Sequence, residues 1–278
     1  MRRMKRNGKN RRAGFTLVEL LVVIVIIGIL ASLVTMAVFG AMKDAKSKDM
    51  QQECSKILGA FESFKEKFNS LPPDGNGGME KMRRFVRKAF PMAKSQSTTP
   101  DGEVTQAQTG PARGLVYWLS EISTDPRQPF RKESGGFGGQ KQDELFYKFY
   151  NFQEGRLNKG KYYPKDYDFT HDPPFLYFNW ETYGMASYRT PDGLAFKPYD
   201  RGQSNSQSSS NRGGGNSRTF CAEESCQIIA AGLDKKLGTG GTLMLDSAQA
   251  AGGAEFISEE DEDNVVSFDT RRIGDIKG

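Results

Sequence analysis

The residues with the clearest chemical potential lie near the N-terminus, where one acid stands at the start of a long apolar segment. Glu19 is the fifth residue counted from Phe15 in the Gly14-Phe15 junction, and the segment from Leu20 to Met42 carries no charge. A carboxylate placed in lipid is costly, so this acid needs a partner that offsets the cost. The pattern predicts a processing site fused to a helix.

The apolar segment is long enough to be a membrane-spanning helix. Its more than twenty residues can cross about 30 Å of hydrocarbon at about 1.5 Å per residue. A secretory signal has a shorter apolar core that ends in a small-residue cleavage site, and neither Gly28 nor Ala31-Ser32 provides one. A plain signal peptide or a single anchor remains the simpler alternative.

The basic leader, the Gly14-Phe15 junction and Glu19 together resemble the class III signal of type IV pilins and of type II secretion pseudopilins. The resemblance implies that a prepilin peptidase cleaves between Gly14 and Phe15 and methylates the new amino group of Phe15. It also implies that Glu19 pairs with the Phe15 amine of a neighbouring subunit and sets the axial register of a filament. The physics agrees, because a paired buried charge costs much less than an unpaired one.

The basic balance of the chain comes from its first fourteen residues. The 278 residues carry 39 Lys and Arg against 34 Asp and Glu, a formal charge of +5. Seven of these cations lie in residues 1–14, and +5 less 7 leaves −2 for the remainder. Nucleic-acid binding is therefore not predicted. By the positive-inside rule, the same cations hold the N-terminus in the cytoplasm and send the remainder outward.

Beyond the membrane segment, the apolar pattern becomes one-sided. The residues that recur mostly at spacings of three and four are Met50, Cys54, Ile57, Leu58, Phe61, Phe64 and Phe68. This spacing predicts an amphipathic helix that continues from the apolar run. We therefore expect one helix from Phe15 to about Asn69, ended by Pro72-Pro73.

The predicted fold class is α+β, with a long N-terminal helix packed on a small antiparallel sheet, pilin-like, and loop-rich insertions. The predicted segments are a leader over residues 1–14, the helix over 15–69 with its transmembrane part at about 20–42, and an exported globular domain over 70–278. Within that domain we expect short helices at Met79–Phe90 and Leu115–Ile122. The aromatic segment Phe175–Trp180 predicts a strand, and Gln203–Ser217 predicts a flexible loop.

The C-terminal part contains a second recognisable pattern. Gln227–Gly238 has the form of a strand, a turn and a glycine, and the acidic stretch Ser258–Asn264 precedes a predicted last strand at Val265–Phe268. This order is similar to the end of the major pseudopilin of type II secretion, in which a loop binds calcium. The inserted segment Thr239–Phe256 is a departure from that pattern.

The resemblance implies a Ca²⁺ site built from four residues. Asp234, Asp261 and Asp263 are the matching acids, and the carbonyl of Leu237 is a fourth contributor. Calcium takes six to eight oxygens from carboxylates and carbonyls on a flexible loop, which suits such a set. The alternative is that the acidic stretch is a solvated loop without a metal.

Three cysteines are too few for a disulfide framework. Cys221 and Cys226 flank a four-residue loop, and in an oxidising compartment they either bridge or stay free. Their spacing does not match a zinc knuckle, and His171 is the only histidine in the chain, so metal ligation is disfavoured. Cys54 falls on the apolar side of the helix and is predicted to be a core residue.

The sequence contains no recognisable catalytic constellation. His171 stands in a loop-like context with no supporting motif, and the glycine-rich stretches lack the features of a phosphate-binding or dinucleotide-binding loop. We therefore expect a protein that is not an enzyme.

The predicted function is a structural subunit of a type II secretion pseudopilus or type IV pilus-like filament that supports protein secretion. The subunit waits in the inner membrane with its C-terminal domain in the periplasm. The implied partners are prepilin peptidase, other pilin or pseudopilin subunits, an inner-membrane assembly platform and membrane lipid. Two alternatives stay open: a surface pilus subunit for adhesion or DNA uptake, and a membrane-anchored module that binds envelope or polysaccharide. Glu19 is expected to separate these, because a simple tether has no use for it.

Overall fold

The structure is a computed structural model that describes residues 16–93, 110–130, 146–203, 218–243, 257–269 and 271–276. Its first element is α1, Leu17–Phe68, a helix of 52 residues. Asn69 follows with a φ of 57°, in the left-handed region that commonly ends a helix. Pro72 and Pro73 come next, and they lack the N–H group that a further helical turn needs.

The chain divides into two compact units, Met1–Ala45 and Lys46–Gly278. The first half of α1 belongs to the first unit and buries none of its residues, whereas the second half is part of the core of the second unit. The buried residues of α1 are Met50, Cys54, Ile57, Ala60, Phe61, Phe64 and Phe68. The spacing of three and four in the sequence therefore does mark the side of the helix that packs.

Three shorter α-helices follow α1 among the described residues. They are α2, Gly78–Ala89, α3, Gly114–Ser120, and α4, Ile273–Ile276. The first two match the predicted helices to within two residues at each end. In α2, Met82, Phe85 and Val86 are buried, and α3 is buried along nearly its whole length.

Nine strands form three small sheets in the part of the chain that the structure describes. The strands are β1, Leu157–Asn158, β2, Lys161–Tyr162, β3, Leu176–Asn179, β4, Tyr188–Arg189, β5, Ala195–Gln203, β6, Arg218–Phe220, β7, Cys226–Ala230, β8, Gly240–Thr242, and β9, Val265–Val266. The pairs β1-β2, β4-β5 and β5-β6 are antiparallel, and so is the sheet β3-β7-β9. The pair β5-β8 is parallel.

The sheet β3-β7-β9 is buried on both faces. Along β3, Tyr177 packs into one core with α1, α2 and α3, while Leu176 and Phe178 pack into a second core with β5. The same alternation separates Val265 from Val266 in β9. Side chains of a strand point alternately to opposite faces, so this sheet divides the interior into two layers.

The predicted α+β fold, with a long N-terminal helix and small antiparallel sheets, is confirmed. The exception is the parallel pair β5-β8. The polar stretch predicted as a flexible loop, Gln203–Ser217, lies outside the described residues except for Gln203, which ends β5.

A carboxylate of α1 holds the β1-β2 hairpin. Arg156 donates two hydrogen bonds to Glu53, from Nη1 to Oε1 at 2.9 Å and from Nη2 to Oε2 at 2.7 Å. The hydroxyl of Tyr162 donates to Glu53 Oε1 at 2.7 Å. Both partners of the ion pair are largely buried, so the two-pronged Arg156–Glu53 interaction fixes the hairpin against the helix.

Candidate functional site

The N-terminus of α1 is closed by a reciprocal pair of hydrogen bonds between Thr16 and Glu19. The backbone N–H of Glu19 donates to Thr16 Oγ1 at 3.2 Å, and the backbone N–H of Thr16 donates to Glu19 Oε2 at 3.0 Å. The Thr16 hydroxyl also donates to the same Oε2 at 3.0 Å. This is a capping box, which satisfies two backbone donors that the first helical turn leaves open.

Sequence reasoning missed the capping box, although the signal Thr16-x-x-Glu19 was present. The expectation that a simple tether has no use for Glu19 is therefore wrong, because an isolated helix already uses this carboxylate. The box engages Oε2 alone. Among the described residues, Oε1 of Glu19 has no hydrogen-bond partner and remains available to a donor from outside the chain.

The first half of α1 presents apolar side chains on every side. Val22, Ile29 and Phe39 illustrate the pattern, since each is exposed over about half of its surface. By length and composition, α1 is apolar and long enough to cross a membrane, and it lies near the N-terminus. A helix that is hydrophobic all round requires apolar surroundings, which the first unit does not supply from its own described residues.

The predicted processing residues Gly14 and Phe15 lie outside the described residues, as does the predicted leader at 1–14. Cleavage, methylation and the pairing of Glu19 with the Phe15 amine therefore stay predictions. The described part of the site is the capped, exposed start of α1 that immediately follows them.

Asp261, one of the four predicted calcium ligands, is fully buried and surrounded by protein donors. Its Oδ2 accepts hydrogen bonds from the backbone N–H and hydroxyl of Ser258 at 2.8 and 2.7 Å and from the N–H of Thr239 at 3.1 Å. Its Oδ1 accepts from the Tyr199 hydroxyl at 2.8 Å and the Gly240 N–H at 3.0 Å. Ser258 and Asp261 form a second capping box, at the 3₁₀ turn Glu259–Asp261.

Two of the other predicted ligands also accept hydrogen bonds from protein groups. The carbonyl of Leu237 accepts a hydrogen bond from Asn264 Nδ2 at 2.8 Å. Asp263 Oδ2 accepts from the backbone N–H of Asp234 at 2.9 Å, and Asp263 Oδ1 is buried without a partner in the structure. Within the described residues, no group of three or more His, Cys, Asp or Glu side chains is placed to hold a metal ion.

The predicted set of four therefore does not fit calcium as arranged here. Asp261 already accepts at least five hydrogen bonds from protein donors, and a cation would have to displace them. Calcium binding by this loop stays a prediction of the resemblance. The two remaining acids, Asp234 and Asp263, do lie close together. Burial of Asp234 and the nearby charge of Asp263 raise the pKa of Asp234 to about 6.

Cys221 and Cys226 are free and buried in the structure, so the disulfide left open by the sequence is not formed. Cys226 begins β7 and packs in the core beside α1, whereas Cys221 packs in the core on the other side of the central sheet. The two thiols therefore face different layers. The third cysteine, Cys54, is buried in the first of these cores, as predicted.

Residues 9–35 match a protein-family model, the prokaryotic N-terminal methylation motif. This range includes Gly14, Phe15 and Glu19 and most of the apolar segment. No curated protein and no solved structure matches the chain. The resemblance seen at the N-terminus is therefore confirmed.

The motif supports a type IV pilin-like subunit. It implies processing by prepilin peptidase and assembly with other pilin subunits. Among the described residues, α1 is the one helix apolar and long enough to cross a membrane, and it fits an anchor in the inner membrane.

Proposed function

We propose that the protein is a structural subunit of a type II secretion pseudopilus that waits in the inner membrane and is then packed into a filament supporting protein secretion. The observation that carries the proposal is the first half of α1, which combines the methylation motif, an uncharged apolar surface and one carboxylate at its start. The further partners are the inner-membrane assembly platform and membrane lipid. No catalytic step is assigned to the chain.

The apolar half of α1 needs two successive environments in this account. Before assembly, lipid covers its exposed leucines, isoleucines and valines, and after assembly the same helices of neighbouring subunits cover them. Transfer of apolar surface out of water contributes about 25 cal/mol per Å², so neither state leaves this surface in water. A helix with apolar side chains on one face alone would suit only one of the two environments.

The geometry of Glu19 supports a role between subunits. Both hydrogen bonds that the Glu19 carboxylate accepts from Thr16 fall on Oε2, and Oε1 is available for the methylated amine of a neighbouring Phe15. An ammonium group and a carboxylate that meet away from water neutralise each other, which removes most of the cost of burying either one. The pair would then fix the axial position of one helix against the next.

The assignment to type II secretion rests on the order of elements near the C-terminus. Strand β7 leads through a turn at Gly232–Asp234 towards the acidic turn Glu259–Asp261, and β9 then pairs with β7. This order is similar to the end of the major pseudopilin. In this chain the buried carboxylate of Asp261 accepts hydrogen bonds from the backbone N–H groups of Thr239, Gly240 and Ser258, which joins the acidic turn to the segment that follows the first turn.

A membrane-anchored binding module is the second candidate function. The observation that favours it is the capping box, which gives Glu19 a role in a lone helix with no neighbouring subunit. In that case the first half of α1 is only a tether and the second unit carries the activity.

The experiment that tests the proposal is mass spectrometry of the N-terminal peptide from membranes of cells that contain the native prepilin peptidase. We expect a peptide that begins at methylated Phe15. The matched control is the same chain in cells that lack the peptidase, in which residues 1–14 should remain. A chain that keeps residues 1–14 in both cells, or is cut elsewhere, would contradict the filament role and favour the tether.

A further inference from the structure

A cavity of about 520 Å³ opens between residues 110–113, which precede α3, and the β1-β2 hairpin in the second unit. Three cations line it, Arg113, Lys159 and Lys161. Among the described residues, none of the three forms an ion pair or hydrogen bond through its side chain. A cavity of this volume is in the range that takes a small ligand.

The three cations lie close enough to repel one another. Lys161 is half-buried, and burial lowers its pKa, as do the neighbouring charges of Arg113 and Lys159. Two acids of this region, Glu121 and Asp168, form no ion pair with the three cations among the described residues. Glu121 interacts with Arg113 only at a distance, and Asp168 is hydrogen-bonded to His171 Nδ1 at 2.9 Å. An anion in the cavity would offset the repulsion.

The walls of the cavity are fixed by the fold. Lys159 and Gly160 both have positive φ, 49° and 74°, in the two-residue turn that joins β1 to β2. Such turns match the twist of the paired strands and hold the flanking residues in one register. The base of the hairpin is tied by Arg156, whose Nε donates to the carbonyl of Tyr163 at 2.7 Å. The backbone that carries the lysines and Tyr163 is therefore in place before any ligand arrives.

The remaining lining is aromatic and neutral polar. Tyr163, Phe169 and Tyr188 supply ring surface, and Asn158 and Thr170 supply an amide and a hydroxyl. Rings offer flat apolar area to one face of a ligand, while the amide and the hydroxyl can bond hydroxyl groups at its edge. A sugar has both apolar faces and a rim of hydroxyls. The three cations then favour a sugar that also carries a negatively charged group.

We propose that this cavity binds an anionic sugar, a sugar-sized ring that carries a phosphate or a carboxylate. The negative group lies among Arg113, Lys159 and Lys161, and the ring packs on the aromatic wall. The site belongs to the second unit alone and does not depend on whether the chain forms a filament.

The test is calorimetric titration of the full chain in detergent micelles with glucose 6-phosphate and with glucuronate. Glucose and inorganic phosphate serve as ligand controls. We expect saturable binding of at least one anionic sugar, weaker binding of phosphate alone and none of glucose. The affinity should fall as salt is added, because the interaction is between charges. The two anionic sugars distinguish a phosphate source from a carboxylate source.

The matched variants are Lys161→Gln and Arg113→Gln in the cavity and Lys165→Gln outside it. Each cavity variant should weaken binding about tenfold or more, since each removes a charge-assisted hydrogen bond, while Lys165→Gln should leave the affinity unchanged. Circular dichroism checks that every variant is folded. Absence of binding to both anionic sugars, equal affinity for phosphate alone, or an affinity unaffected by both cavity variants would each overturn the proposal.

Discussion

Two capping boxes of this chain use the same chemistry, but they differ in how many carboxylate oxygens accept hydrogen bonds from the chain itself. Thr16 and Glu19 form one on the exposed start of α1, and only Oε2 of Glu19 accepts hydrogen bonds there. Ser258 and Asp261 form the other inside the second unit, where both carboxylate oxygens accept at least two. Both oxygens of the Asp261 carboxylate therefore have partners within the chain, whereas Glu19 has one oxygen available for a partner outside it.

The apolar residues in the two halves of α1 also differ in whether the chain itself covers them. Ile29, in the first half, is 57% exposed, and Phe61, in the second half, is fully buried and stacked on Tyr177 with ring centroids 4.1 Å apart. Both residues belong to one continuous helix. The difference teaches that the first half of α1 is built for contacts with other molecules, whereas the second half is built for contacts within its own domain.

The largest expected effect comes from a substitution in the second half of α1. Phe61→Ala removes a buried ring and leaves a cavity, so we expect the free energy of unfolding of the second unit to fall by about 3–5 kcal/mol. Thermal unfolding of the detergent-solubilised chain, followed by tryptophan fluorescence, measures this change, because Trp118 lies in the same core.

Ile29→Ala is the matched control for that substitution. It also shortens an apolar side chain of α1, but this side chain is not buried in the chain, so the unfolding of the second unit should not change. A similar loss of stability in both variants would contradict the division between the two halves.

The next effect tests the internal capping box. Asp261→Asn keeps the shape of the side chain but turns an NH₂ group towards donors such as the Tyr199 hydroxyl and the Gly240 N–H. We expect a loss of about 3 kcal/mol in unfolding free energy, because buried donors lose a charged acceptor. Thermal unfolding under the same conditions measures it.

Removal of calcium is the companion experiment for Asp261. Because protein donors already fill this carboxylate, we expect a chelator to leave the melting temperature of the unsubstituted chain unchanged. A fall in melting temperature with the chelator, reversed by added Ca²⁺, would instead support the predicted metal site.

A smaller effect concerns pH. The pKa of Asp234 is raised to about 6 in the folded chain, whereas an ordinary aspartate lies near 3.8. Between these values the folded chain holds a proton that the unfolded chain has lost, so this group's stabilisation is present at low pH and lost as pH rises through about 6.

Asp234→Asn removes this titrating group. We expect the melting temperature of the variant to vary less between about pH 4 and pH 6 than that of the unsubstituted chain. An exposed substitution such as Asp166→Asn is the control and should preserve the original slope. The account of Asp234 would fail if its variant kept the full pH dependence.

Much of the helical part of the fold was predictable from the sequence, because helix signals are local. The change from all-round to one-sided apolar spacing near Met50 separated the two halves of α1, and Pro72-Pro73 located its end. The capping box was also readable at Thr16-x-x-Glu19 but was missed, since the acid was interpreted only through its expected partner.

The long-range contacts were not predictable from one sequence. Glu53 and Arg156 are 103 residues apart, and no local pattern joins them. For Asp261 the sequence shows the acid but not the donors from Thr239, Gly240 and Tyr199 that the fold brings to it. The spacing of Cys221 and Cys226 likewise does not reveal that they face different layers of the core.

The most direct test of the central claim is the yield of assembled filament from the Glu19→Gln chain in cells with the native assembly apparatus. Glutamine can close the same capping box as glutamate, so this change removes the charge and preserves the helix start. The control is Thr16→Ala, which breaks the box but keeps the charge. The account predicts that Glu19→Gln abolishes filaments while Thr16→Ala retains them. Filaments at the unsubstituted level in Glu19→Gln would contradict it, because the capping box alone would then explain the acid.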